Sequence, residues 1–535
     1  MDNVVLILLV GFISFITLIR SLRSPQESGW TKISLVILIG LGIAASVVPD
    51  VAGWVGLGLW SAFILTPAYL VRVLSRHIVR QEYTKARRLC DALRRFLPGR
   101  HWRLQSAFVR TLELSQQGNL AGSLQLLENV RKSDPSADLV VTLQTLRLQG
   151  DWEKIVELVP DEERGEPTVE SQGAAGTAAL LRAFGETGRL DQLVQFYGRY
   201  RPVLDSLRVP AEVQAICRLS VFAFCGERSY VENLFAEQLR QYPDLVKKFW
   251  LATADLASGD ETARQRLSAI ANESDPYNLP MVERRLTQQL PSVESLSLSS
   301  RKILSQLKIR VAEEERYGLT SSKVRRLSSA TKTLIGLNCI YFLVECYAGG
   351  STNRETLERL GALSGNVINS GEWWRVVAAS FMHAGVTHLL LNMLGLLILG
   401  PYLEFRLGIR RFVPFFLFTS IGAMGYCAAE MYFTNSDRML VGASGFVMAI
   451  VGAIGAYMYY GWKFERSALA RKNFTLIVII VVLQLTVDAS IPEISIQAHA
   501  SGLVLGVVGI ILLQLGTLFA PRGKDAPTTT SRDAT

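Results

Sequence analysis

The sequence predicts an all-α, polytopic membrane protein: a six-helix membrane core, three additional N-terminal spans and a soluble helical-repeat domain between them. Three observations predict it. The 535 residues are 49% hydrophobic, too apolar for a soluble chain of this length, yet 19% are charged. The apolar residues gather in two blocks separated by about 255 residues of ordinary charge content. Inside the separating segment a glycine turn recurs with helical patterns on either side.

The first block, 1–72, holds apolar stretches near 3–22, 33–49 and 52–72. Each is long enough to cross a hydrocarbon core of about 30 Å at about 1.5 Å per residue. The second, 331–520, divides into six spans: 332–348, 385–403, 412–433, 440–461, 473–488 and 494–519, the fifth being the shortest. Basic residues order these nine spans. Arg20, Arg23 and Lys32, then Arg72, Arg76 and Arg80, then Arg325, Arg326 and Lys332 fall on one side. So do Arg410 and Arg411, Lys463 to Lys472, and Arg522 with Lys524. The positive-inside rule makes that side the cytoplasm, as in a bacterial-type cytoplasmic membrane. The chain start, Asp50, segment 349–384, Asp437 and Glu493 then face outside, and the C-terminus faces the cytoplasm. Asp2 and the lack of a basic start argue against a cleaved signal peptide.

The segment 73–296 carries Gln-Gly-Asn (117–119), Gln-Gly-Asp (149–151), Thr-Gly-Arg (187–189), Cys-Gly-Glu (225–227) and Ser-Gly-Asp (258–260). A period near 34 with a helix-turn-helix unit resembles tetratricopeptide-type solenoids, although the full consensus is missing and an irregular all-helical domain fits as well. Such arrays imply a possible protein partner. In the linker 297–330, Ile303, Leu304, Leu307 and Val311 line one helical face; packing on its own domain is favoured over a membrane-surface helix. The tail 521–535 is polar and expected to be disordered.

The net charge of +9 falls mainly between apolar segments, and no basic-aromatic motif supports a nucleic-acid partner. The six cysteines show no metal-ligand spacing and read as buried thiols, with no metal or organic cofactor indicated.

The chemistry lies in the second block. Ser444 sits in Val-Gly-Ala-Ser-Gly (441–445), and His499 in Ala-His-Ala-Ser-Gly-Leu-Val-Leu-Gly (498–506). A nucleophile and a base in lipid-spanning helices are costly to place, so each is a functional-site candidate. His388 and Asn392, four apart, share one helix face and can both donate to a developing oxyanion. Helical rise from the outer face puts Asn392 and His499 each ~10 Å deep and Ser444 ~6 Å deep, a common shallow level that water can reach. Gly442 and Gly445 bracket Ser444, and Gly502 and Gly506 follow His499 on its own face. Small residues let helices approach closely enough for a Ser Oγ to imidazole hydrogen bond.

Together these residues resemble the rhomboid family of intramembrane serine proteases. The resemblance covers the core 331–520. It rests on Glu-Trp-Trp-Arg (372–375), His-x4-His-x3-Asn (383, 388, 392), Glu-x-Arg-x-Gly (404, 406, 408), Gly-x-Ser-Gly (442–445) and Ala-His-x2-Gly-x3-Gly (498–506). It implies Ser444 as nucleophile and His499 as general base, a dyad with no required aspartate. It implies an oxyanion hole of His388, Asn392 and the Ser444 backbone N–H. Trp374, Arg375, His383, Glu404 and Arg406 would be structural, and substrates would be single-span membrane proteins in the lipid bilayer. Met448 stands where many relatives carry an aromatic against the histidine. The rival expectations are a catalytically silent relative that binds membrane clients, and a membrane-anchored helical-repeat scaffold.

Overall fold

The computed structural model describes residues 2–22, 28–96, 100–158, 169–205, 209, 211–319, 328–365, 367–490 and 495–518. The tail 521–535 and the basic pair Arg325 and Arg326 lie outside them. The chain divides into two compact units, Met1–Ile309 and Arg310–Thr535. Among the described residues the regular secondary structure is helical apart from one pair of two-residue strands.

In the first unit, helices Asp2–Leu22 and Ser28–Val47 pack beside a long helix that runs through 49–79 with one π turn at Ser61–Leu65. Val10, Ile37 and Leu41 close their shared face, while Leu8, Phe12, Leu35 and Ile43 point outward. Outward apolar side chains are what a lipid-facing surface requires. Asn3 ties the start of the first helix to the start of the long one: its amide donates to Pro49 O at 2.6 Å and its oxygen accepts from Gly53 N at 2.7 Å.

After this group the chain forms five successive helical hairpins. Gly118, Gly150, Gly188, Gly226 and Gly259 each end the first helix of a hairpin with φ between +71° and +92°. The N–H after each glycine returns to a carbonyl five residues earlier, as in Asn119 N to Leu114 O at 2.9 Å and Arg189 N to Phe184 O at 2.8 Å. This is the Schellman closure, which glycine makes without a Cβ penalty. The recurring glycine of the sequence is thus a helix stop. Deep in this array Arg285, 0% exposed, bonds Glu186 at 2.8 Å. The helix Leu298–Tyr317 lays Ile303 on Gly198 and buries Leu304 and Leu307, so the apolar face of 297–309 is covered within its own unit.

In the second unit the helix Ser444–Lys463 is central: 67% of its apolar window is buried, against 11% for Ala468–Ser490. Around it stand Ser329–Tyr347, Val386–Leu407, Ile409–Phe433, Ala468–Ser490 and Ile496–Leu518. Tyr317, which the sequence places in the linker, is 2% exposed inside this unit. Its carbonyl accepts from Asn473 Nδ2 at 2.8 Å, its hydroxyl reaches Glu465, and its ring packs on Gly461.

Seven described helices are long and apolar enough to cross a membrane, two in the first unit and five in the second. Two of the nine expected spans fall below that measure. One offers a described apolar stretch of only Leu6–Leu22, and the other, Ser329–Tyr347, carries Lys332 and Glu345.

Candidate active site

The central helix begins at Ser444 itself, not at Leu440 as the sequence suggests. Met439 and Leu440 form a short strand paired with Leu363 and Ser364 of the segment that precedes the Val386–Leu407 helix. Gly442 then turns with φ +130° and donates its N–H to Ala379 O at 2.8 Å. Only glycine adopts that backbone readily. Ser444 therefore occupies the first helical position, where backbone N–H groups have no intrahelical acceptor and point into the space ahead of the helix.

Gly442 also makes room for His388. A Cβ built on Gly442 would stand 2.8 Å from His388 Nε2 and 3.7 Å from Ser444 Oγ. The imidazole and the hydroxyl thus border the same small space. His388 is the third residue and Asn392 the seventh of Val386–Leu407, one turn apart. Asn392 is buried, and its Nδ2 has no hydrogen-bond partner among the described residues. A buried amide donor without an acceptor is costly, on the order of 1–3 kcal/mol. The amide is therefore open to an acceptor that arrives later.

His499 is the fourth residue of Ile496–Leu518 and is 6% exposed. Its helix crosses the Ser444 helix backbone to backbone. A Cβ on Gly502 would lie 2.1 Å from Gly445 O, and one on Gly506 would lie 2.0 Å from Ala449 O. The ring's Nδ1 stands 2.7 Å from Asp488 Oδ2. Sequence reasoning missed Asp488 because it ended the fifth span there, so the carboxylate read as a boundary. The helix instead continues to Ser490. The rule that an ionisable side chain within a span needs a named partner would have found it. Met448, one turn beyond Ser444, is buried in the main core cluster.

Residues 370–515 match the family model described as the Rhomboid domain. A Rhomboid domain thus occupies much of the membrane core. The chain is 30% identical to Rhomboid protease GluP of Bacillus subtilis (strain 168) over 231 residues, 43% of either chain. It is 30% identical to RHOMBOID-like protein 5 of Arabidopsis thaliana over 160 residues, 30% of this chain and 50% of that protein. It is 32% identical to RHOMBOID-like protein 6, mitochondrial, of the same plant, over similar shares. The chain spans about half the length of these curated relatives. No solved structure matches. With seven described helices long and apolar enough to cross a membrane, the chain is an integral multi-pass membrane protein.

The remaining motif residues of the rhomboid core lie at its two ends. Arg375 bonds Glu372 at 2.9 Å, donates to the carbonyls of Glu358 and Ala362, and stacks on Trp374 with its guanidinium 4.9 Å from the ring centre. Trp374 packs over Gly361. At the other end Glu404 accepts from Ala330 N (2.9 Å), Thr331 N (2.8 Å) and Thr331 Oγ1 (2.7 Å). It thereby caps the N-terminus of Ser329–Tyr347, satisfying donors no intrahelical carbonyl can reach. Arg406 donates to the carbonyls of Glu315 and Arg316 and lies over Tyr402 and Tyr457. His383 is fully buried; its backbone N–H donates to Glu345 Oε1 at 3.0 Å and its ring meets that of His388 edge-on. Among the described residues no group of three His, Cys, Asp or Glu side chains is placed to hold a metal ion. Cys346 departs from the expectation of buried thiols, since it is exposed.

Proposed function

We propose that the chain is an intramembrane serine protease that hydrolyses peptide bonds in or near transmembrane segments of membrane-protein substrates. The observation that carries this reading is the shared space bordered by Ser444 Oγ and His388 Nε2, with the unpartnered Asn392 amide one turn beyond His388.

In the proposed reaction Ser444 Oγ attacks the scissile carbonyl and its proton passes to Nε2 of His499. The carbonyl oxygen becomes an oxyanion and accepts from His388, Asn392 Nδ2 and the Ser444 N–H. Collapse of the tetrahedral intermediate breaks the C–N bond, and His499 returns the proton to the leaving amine. Water, deprotonated by His499, then hydrolyses the acyl-enzyme and regenerates Ser444. Gly442 and Gly445 would shape the serine turn, and Gly502 and Gly506 the helix crossing. Trp374, Arg375, His383, Glu404 and Arg406 would hold the frame.

The proposed arrangement has three N-terminal spans, a cytoplasmic helical-repeat domain of tetratricopeptide-like type that takes a protein partner, and the six-span rhomboid core. Nine spans place the N-terminus outside and the C-terminus in the cytoplasm, in agreement with the basic flanks. Substrates would be single-span proteins.

A fluorophosphonate probe tests the chemistry directly. It is expected to label the native protein at Ser444, and Ser444→Ala and His499→Ala are each expected to abolish labelling and cleavage of a model transmembrane substrate while the protein stays folded. Turnover retained by purified Ser444→Ala would overturn the reading.

A further inference from the structure

Asp488 lies two residues from the end of a membrane-length helix whose other buried residues are Ala470, Asn473 and Ile477. Its side chain is 0% exposed, and both carboxylate oxygens are engaged. Oδ2 stands 2.7 Å from Nδ1 of His499, and Oδ1 accepts from Gln484 Nε2 at 2.8 Å. Burying an ionisable group at this place in a membrane helix is expensive unless it has a task. A carboxylate only accepts hydrogen bonds, so the Nδ1 it touches must carry the proton. Nε2 of His499 is then left with its lone pair free.

We infer that Asp488 is a positioning residue that holds His499 in the tautomer able to take a proton from Ser444, oriented in turn by Gln484, so that this chain works with a third member beyond the serine–histidine pair. The inference rests on the protease reading above. When Ser444 Oγ attacks, its proton goes to Nε2, and the Nδ1 proton stays between the ring and Asp488. The imidazolium so formed is stabilised by the adjacent carboxylate, which is not itself protonated. The Nε2 proton leaves with the amine, restoring the starting tautomer.

Gln484 supplies a sharp test. In Asp488→Asn the amide oxygen is retained by the Gln484 N–H, so the amide NH2 faces Nδ1 and donates to it. His499 is then forced to carry its proton on Nε2 and cannot act as base. In Asp488→Ala no donor opposes the useful tautomer. The variants are compared in the full-length protein, in proteoliposomes, against a generic transmembrane substrate. Asp488→Asn is expected to lower kcat by ~10²–10⁴, the usual contribution of a general base, with KM and melting temperature unchanged. Asp488→Ala is expected to lose less. Gln484→Glu combined with Asp488→Asn is expected to recover most of the loss, because the carboxylate introduced at position 484 accepts from the amide NH2 and turns the amide oxygen toward His499.

A helix-joining role alone predicts the reverse order, with the isosteric Asn better than Ala and no rescue; that order, or a near-native kcat in Asp488→Asn, overturns the inference. If the variants fail to melt cooperatively, 15N shifts of histidine-labelled native protein, assigned by His499→Ala, decide it. Protonated Nδ1 and bare Nε2 on neutral His499 support it, and the opposite pattern overturns it. A native protein without turnover would sink the protease reading instead, and the ring shifts would still report on the Asp488 contact.

Discussion

Gly502 and Gly445 meet backbone to backbone: a Cβ on Gly502 would stand 2.1 Å from the Gly445 carbonyl oxygen. The relation is not symmetrical. A Cβ on Gly445 would meet Ala423 Cβ at 3.4 Å and Ala498 O at 3.5 Å, ordinary contacts. The crossing that brings His499 to the Ser444 helix is set by Gly502 and Gly506 against the carbonyls of Gly445 and Ala449 and, in the other direction, by Gly452 against the Leu503 carbonyl.

This asymmetry gives the first prediction. Gly502→Ala and Gly506→Ala are each expected to lower stability by ~1–3 kcal/mol or more, as overpacking does, because backbone rather than a side-chain tip must move. Activity is expected to fall with them as the two helices separate. Gly445→Ala is expected to melt close to the native temperature. Thermal unfolding in detergent checks the contrast, and equal shifts at Gly445 and Gly502 would contradict it.

The orphaned Asn392 amide and His388 give the second. Asn392→Ala and His388→Ala are each expected to slow cleavage by ~10²–10³, the typical effect of losing one oxyanion donor, without ending it, since the Ser444 N–H remains. Removing the unpartnered Asn392 amide is also expected to leave stability unchanged or raise it. Measured kcat and melting temperature test both parts; two native rates would make these residues structural.

Tyr317 governs the third. A truncated chain beginning at residue 321 lacks Tyr317, which is buried in the membrane unit and accepts from Asn473. A chain beginning at 310 keeps it. The 310–535 protein is expected to cleave a generic transmembrane substrate, and the 321–535 protein to melt at lower temperature. Removing a buried aromatic side chain typically costs about 3–5 kcal/mol. Equal melting temperatures for the two truncates would refute the role given to Tyr317.

The fourth concerns sidedness. A cysteine introduced at Asp2 is expected to react with an impermeant thiol reagent on intact cells, and one at Gly188 only after lysis. Native Cys346 is exposed, so the experiment is run in a Cys346→Ala background. Labelling of Gly188 in intact cells would overturn the nine-span arrangement and with it the side on which substrates are cut.

Much of the architecture was legible because its causes are local. An apolar run long enough to span lipid declares itself by composition, and the recurring glycine marks a left-handed helix stop whatever surrounds it, as at Gly118 and Gly188. Ser444, His388, Asn392 and His499 could be singled out because polar groups are conspicuous in apolar segments. Other features depend on what the chain meets in space. Tyr317 reads as linker until Gly461 and Asn473 close around it. The glycines near Ser444 and His499 look equivalent in sequence, yet Gly442 serves a positive φ and a histidine ring, Gly502 a carbonyl, and Gly445 an open contact.

By itself, then, the sequence determined the helical class, the two apolar blocks, the repeated hairpin turn and the few polar residues that stand out within the apolar segments. Only the tertiary structure decided that Ser444 begins its helix rather than lying inside it, because the strand pairing at Leu440 and the turn at Gly442 hold the preceding residues extended. It also decided that Asp488 faces His499. A carboxylate near a helix end has the same sequence signature whether it meets water or an imidazole. The packing of one helix on another chooses between them.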